Sequence, residues 1–160
     1  MAYDSSTVPP SVEHQIRRLI LAVLSFGLVS LFAELLVLGH YEDPWQFVPL
    51  AVILATLGII VWHVAAGGAA GVGALRVAAG LLLVAGGLGI VLHYRGNVEF
   101  QLEVNPDLAG WALLSKVLGA KAPPALAPGV MAQLGFLGLI YTFRHPALRG
   151  ASDERDATRP

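Results

Sequence analysis

Four apolar runs, at residues 19–38, 47–64, 75–92 and 125–143, constrain this chain more than any other feature. Each approaches the roughly 20 apolar residues that a helix needs to cross the hydrocarbon of a bilayer. Hydrocarbon offers no partner to a backbone N–H or C=O, and a helix satisfies these groups within one segment. The expected fold is therefore all-α: an up-down, four-helix transmembrane bundle with a short amphipathic helix in the long extracytoplasmic loop between helices three and four.

Composition points the same way. Of 160 residues, 56% are hydrophobic and 13% charged, where a soluble domain carries about 25% charged residues. The length suggests one domain. There is no cysteine, which excludes disulfides, thiolate metal sites and cysteine-based redox chemistry. Residues 1–16 read as a polar tail with Asp4, Glu13 and Pro9-Pro10, unlike the basic start of a signal peptide. Gly39-His40-Tyr41-Glu42 is no small-residue cleavage site, so the first run is expected to persist as a helix. Residues 146–160 read as a charged, disordered tail.

Basic residues set the expected orientation. Arg17, Arg18, Arg76, Arg144, Arg149, Arg155 and Arg159 make seven of the ten on one side, while Arg95, Lys116 and Lys121 fall on the other with Glu42, Asp43, Glu99, Glu103 and Asp107. The positive-inside rule then places both termini in the cytoplasm of an inner (plasma) membrane. Trp45, Trp62, Tyr94 and Tyr141 lie near run ends, as interfacial aromatics do. The inner arginines are too sparse for nucleic-acid binding and suit anionic lipid headgroups.

Local signals divide the chain further. Gly39 is placed to end helix one, Pro44 to open the next helix, and Pro49 falls in its first turn. Residues 64–74, with four glycines, read as a flexible inner connection. Small residues let membrane helices approach closely, so Gly86 and Gly87 mark helix three as the bundle centre or a homo-oligomer seam; Gly135 and Gly138 suit the same use in helix four. Asn105-Pro106-Asp107 reads as an N-cap, a first helical proline and a first-turn acid. It would open the surface helix over 106–118, on which Leu108, Trp111, Leu114 and Leu118 recur every three or four residues as a partner or membrane face. Before it, Val98, Phe100, Leu102 and Val104 alternate with Glu99, Gln101 and Glu103, the period of an extended segment. His40-Tyr41 with Phe47 returns as His93-Tyr94 with Phe100, 53 residues later, a faint sign of two repeated hairpins.

Few residues carry chemistry. Glu34 shares a helical face with Gly27 and Ser30, expected to point inward, with Gln133 of helix four as a hydrogen-bond partner. An acid inside a membrane invites a proton-coupled transport role. Small multidrug exporters resemble this chain in having four helices and a glutamate in the first, though they lack any segment like that around Trp111. His40, Glu42, Asp43, His93, Glu99 and Glu103 gather at the outer side, where imidazole and carboxylate suit a metal ion. His40 with His93, and His63 with His145, also form two diagonal pairs of the kind that bis-histidine ligation of haem b uses. No phosphate-binding loop, dinucleotide fingerprint or nucleophile elbow occurs. The leading expectation is a non-enzymatic scaffold or accessory subunit without a bound cofactor; the alternatives are a Glu34-dependent transporter and a metal- or haem-binding redox protein.

Overall fold

The computed structural model describes residues 11–120 and 126–148. The regular elements among them are helical: α1 (Val12–Val37), α2 (Phe47–Ala66), α3 (Gly68–Val104), α4 (Gly110–Leu118) and α5 (Leu126–Thr142), with a short 3-10 turn, Pro44–Gln46, leading into α2. Three of them, α1, α2 with its leading turn, and α3, are long and apolar enough to cross a membrane; α5 is a shorter apolar helix. The fourth run begins among residues outside the described part.

Helix ends follow local chemistry. The Ser11 hydroxyl accepts from the His14 N–H at 3.3 Å and caps α1, which takes in Arg17 and Arg18 rather than starting after them. At the far end Gly39 adopts φ +68, its N–H donates to Leu36 O at 3.1 Å, and the His40 N–H donates to Leu35 O at 2.9 Å. This paired closure satisfies carbonyls that the helix leaves open and needs a residue free of Cβ strain. The Asp43 carboxylate then accepts from the Trp45 N–H at 2.9 Å, while the Gln46 side chain accepts from the Glu42 and Asp43 N–H groups. The turn is thereby pinned before α2 begins.

Three expectations fail here for physical reasons. Residues 64–74 are not a loose connection. Gly67 and Gly68, at φ +65 and +81, reverse the chain alone, and α3 starts at once. Gly71 is needed for contact instead: a Cβ there would lie 2.9 Å from His63 Nδ1 and 3.1 Å from His63 Cα. Residues 98–104 are helical, not extended, because lengthening an existing helix adds a hydrogen bond per residue without a new nucleus. Asn105 closes α3, and its carbonyl accepts from the Leu108 N–H at 3.2 Å in a turn rather than opening a helix; its φ −146, ψ 92 is the extended conformation that the Pro106 ring imposes on the residue before it. Accordingly α4 begins only at Gly110.

α1 packs beside α2 and α5, and α3 beside the same two, so α1 lies diagonal to α3 and α2 to α5. The α3–α5 pairing is the most extensive. A Cβ on Gly86 would meet Pro128 O and Ala132 N at 2.6 Å, and one on Gly135 would meet Ala79 O and Leu83 N at 2.7 Å. Gly138 makes room for the Ala79 methyl and Gly27 for Leu134. Leu24, Leu28, Ile53, Leu75 and Leu82 fill the centre, while Phe26, Val61, Val84, Leu88 and Ile140 face outward. Lipid tails are as apolar as leucine, so among such helices close packing drives association more than transfer from water does. Small residues at the α3–α5 contact supply that closeness.

Candidate functional site

Polar groups collect at the two ends of the bundle. At one end the start of α1, the end of α2, the early part of α3 and the end of α5 converge. A helix C-terminus leaves carbonyls unpaired and carries partial negative charge. Two arginines answer this at α5: Arg17 Nη1 donates to Tyr141 O at 2.6 Å and Nη2 to Phe143 O at 3.3 Å, while Arg76 Nη2 donates to Thr142 O at 2.6 Å. Glu13 holds the Arg17 guanidinium from one turn earlier, at 2.8 and 3.1 Å.

Beneath these contacts His63 Nε2 and the Tyr141 hydroxyl lie 2.6 Å apart. His63 is 8% exposed, and its Nδ1 has no hydrogen-bond partner. An unpaired lone pair is tolerated better in an interior than an unpaired N–H. That assigns the proton to Nε2, which donates to the Tyr141 oxygen and leaves the hydroxyl hydrogen free. The His145 ring sits 5.8 Å from that of His63 and 5.4 Å from that of Tyr141, and its Nδ1 accepts from the Ala147 N–H at 3.3 Å. Burial lowers the His145 pKa below its ordinary value, helped by the charge of Arg17 and by His63 and opposed by Glu13. An open groove of about 520 Å³ adjoins this cluster, walled by α1, the end of α2, Tyr141 and His145.

At the other end the His40 and His93 rings stack, with centroids 6.1 Å apart and planes at 24°. One comes from the Gly39 turn and the other from within α3, so the repeated His-Tyr pair occupies unlike local structures. Burial lowers the His40 pKa, and His93 lowers it further. Of the other expected ligands, Asp43 is engaged in capping the 3-10 turn, and Glu42 lies exposed beside it. Glu99 and Glu103 share an exposed face of α3, at least about 9 Å further along the axis than His93. Among the described residues no three His, Asp or Glu side chains gather closely enough to hold a metal ion.

Glu34 and Gln133 are both exposed, so the expected inward acid and its partner across the bundle are absent. The buried line of α1 runs through Leu24, Leu28, Leu31 and Leu35; Glu34, one residue from that line, turns about 100° away from it. Gly27 does pack inward, but Ser30 does not. Gly86 is buried at the α5 contact, whereas Gly87 has open space around it. On α4, Val117 is buried and Leu113 and Leu114 are half-buried, while Trp111 and Leu118 are exposed and Leu108, before the helix, is half-buried. Trp45, Trp62 and Tyr94 are exposed, whereas Tyr141 is buried against His63. Lys121, Arg149, Arg155 and Arg159 lie outside the described residues.

Sequence reasoning missed the Arg17–Arg76–Tyr141 cluster. Its available signal was Arg76, a charge set among the apolar residues of early α3. No protein family, curated protein or solved structure matches this chain.

Proposed function

We propose that the chain is a four-span inner-membrane protein with both termini cytoplasmic, acting as a non-enzymatic accessory or scaffold subunit whose outer element meets a partner. The alternating order of helix ends at the arginine-rich pole supports an up-down arrangement. At 17 residues α5 measures about 26 Å, near the roughly 30 Å hydrocarbon thickness.

The observation that carries the partner reading is the length of α3. Its 37 residues extend about 55 Å, well beyond one bilayer core. The excess holds α4 against itself and leaves Phe100, Val104 and Trp111 exposed at 60%, 69% and 78%. A rigid extramembrane frame with uncovered aromatic side chains suits recognition. Within the bilayer, Gly73, Val77, Gly80, Val84, Gly87 and Val91 recur at alternating intervals of four and three on the outer face of α3, with space around all three glycines. That pattern supports a second copy as one partner. Purification in mild detergent should yield a stable homo- or hetero-oligomer, weakened by Phe100→Ser with Trp111→Ser. A strictly monomeric species with nothing co-purifying counts against the reading.

The His40–His93 stack favours a second reading, a metal- or haem-binding redox protein. An absorption spectrum with elemental analysis decides it, since a colourless, metal-free preparation removes it. Transport through Glu34 lacks comparable support, because the carboxyl lies on the outer surface of α1. Unchanged proton-coupled flux in a Glu34→Gln variant would eliminate it.

A further inference from the structure

The groove beside His63 has a divided chemistry. Arg18 stands on the first turns of α1, and Leu21, Ala22 and Ile60 line the groove deeper toward the apolar middle of α1 and α2. Arg17 is spent on Glu13 and on the carbonyls of Tyr141 and Phe143. Arg18 is exposed and has no hydrogen bond or ion pair among the described residues. The Tyr141 hydroxyl, holding the His63 N–H as acceptor, has its own hydrogen to donate. The groove therefore offers one unneutralised cation and one hydroxyl donor beside an apolar floor.

We propose that this groove is a binding site for an anionic phospholipid. Arg18 and the Tyr141 hydroxyl contact the phosphate, and an acyl chain lies along Leu21, Ala22 and Ile60. A cation at the mouth favours net-negative headgroups over zwitterionic ones, whose ammonium it repels. The apolar floor distinguishes a lipid from free phosphate, which gains nothing there. The site lies at the opposite pole from the outer element, so its test does not depend on any partner.

The full chain in mild detergent would be titrated with dioleoylphosphatidylglycerol and with dioleoylphosphatidylcholine and read by native mass spectrometry. Preferential retention of the phosphatidylglycerol is expected. Arg18→Gln should reduce that preference about five-fold, the effect of one basic residue near an anionic headgroup. Ala22→Trp, at an exposed position in the groove wall, should cut retention of the anionic lipid while the melting temperature in lipid-free detergent stays unchanged. Equal retention of the two lipids by the unaltered chain would overturn the proposal, as would an undiminished preference in Arg18→Gln. Millimolar inorganic phosphate is the remaining arm. If it raises the melting temperature as much as the phosphatidylglycerol does, the groove takes phosphate alone and the lipid assignment is wrong.

Discussion

The two poles of the bundle solve opposite problems. At the arginine-rich pole, open carbonyls at the end of α5 are met by Arg17 and Arg76, and a buried tyrosine is met by a buried histidine. Side chains from α1, α2 and α3 converge on the end of α5. At the other pole local closure does the work: the Gly39 and His40 N–H groups seal α1, the Asp43 and Gln46 side chains seal the turn, and α3 runs onward with its aromatic rings uncovered. The His40–His93 stack and the packing of α4 on α3 tie distant parts of the chain together there. The first pole is cross-braced by side chains that are costly to lose. The second is closed by local contacts and leaves the Phe100, Val104 and Trp111 side chains exposed.

The largest expected difference comes from removing the braces. Arg17→Ala removes the bonds to the Tyr141 and Phe143 carbonyls, and Arg76→Ala leaves the Thr142 carbonyl with only the 3.4 Å bond from the His145 N–H; a hydrogen bond to a charged group is worth about 1.5–3 kcal/mol. Unfolding in mixed micelles should register losses of that size for each. His40→Ala at the opposite pole should cost less than either, because its backbone N–H keeps its bond to Leu35 O. A loss at His40 equal to that at Arg76 would erase the contrast. Tyr141→Phe should come next. It leaves His63, already unpartnered at Nδ1, without a partner at Nε2, and an unsatisfied buried polar group costs about 1–3 kcal/mol. Tyr94→Phe, at an exposed position of α3, should be close to neutral.

Acid should then touch both poles. The pKa values of His145 and His40 lie below their ordinary value of 6.5 in the folded chain. The unfolded chain therefore takes up protons first as pH falls. Stability is fully present above pH 6.5, declines as pH drops through the interval below it, and levels off once the lowered folded-state values are passed. Thermal unfolding across pH 7.5 to about 5 should show this fall, with part of it removed by His145→Gln and part by His40→Gln. A rise in stability on acidification would reverse the assigned sign.

Much of this architecture is legible in the residues. The first three apolar runs lie within α1 with its C-cap Leu38, α2 and α3, and the glycines at 86, 135 and 138 lie at the α3–α5 contact because lipid makes close packing the chief available force. Gly39 ends α1 through a conformation that its missing side chain allows. What misled was local pattern without its competitor. Alternation across 98–104 resembled a strand, but a helix was already propagating into it. Asn105-Pro106 carried the residues of a helix start, but the proline acts first on the residue before it and closes α3. Glu34 was expected inside because lipid penalises charge, but the leucine line one residue away decides which face of α1 turns inward. Tyr141, near a run end, reads as an interfacial anchor; its pairing with His63 spans 78 residues and leaves no mark in local spacing.

The smallest expected effect on the fold bears most on function. Phe100 and Trp111 are uncovered, and neither side chain belongs to the buried core. Replacing both with serine should move stability by no more than about 0.5 kcal/mol, as at surface positions generally. The same double variant should shift the size of the detergent-purified species if the outer element is where a partner docks. Serine at Val117, fully buried on α4, is the control: it should loosen α4 and lower stability measurably. If the Phe100–Trp111 variant unfolds as readily as Val117→Ser, those rings serve the fold and the pole at the far end of α3 is not open. If it keeps both its stability and its oligomeric size, the rings have no partner among the species retained in detergent, and the contrast between a braced pole and a receptive one rests on the backbone closures alone.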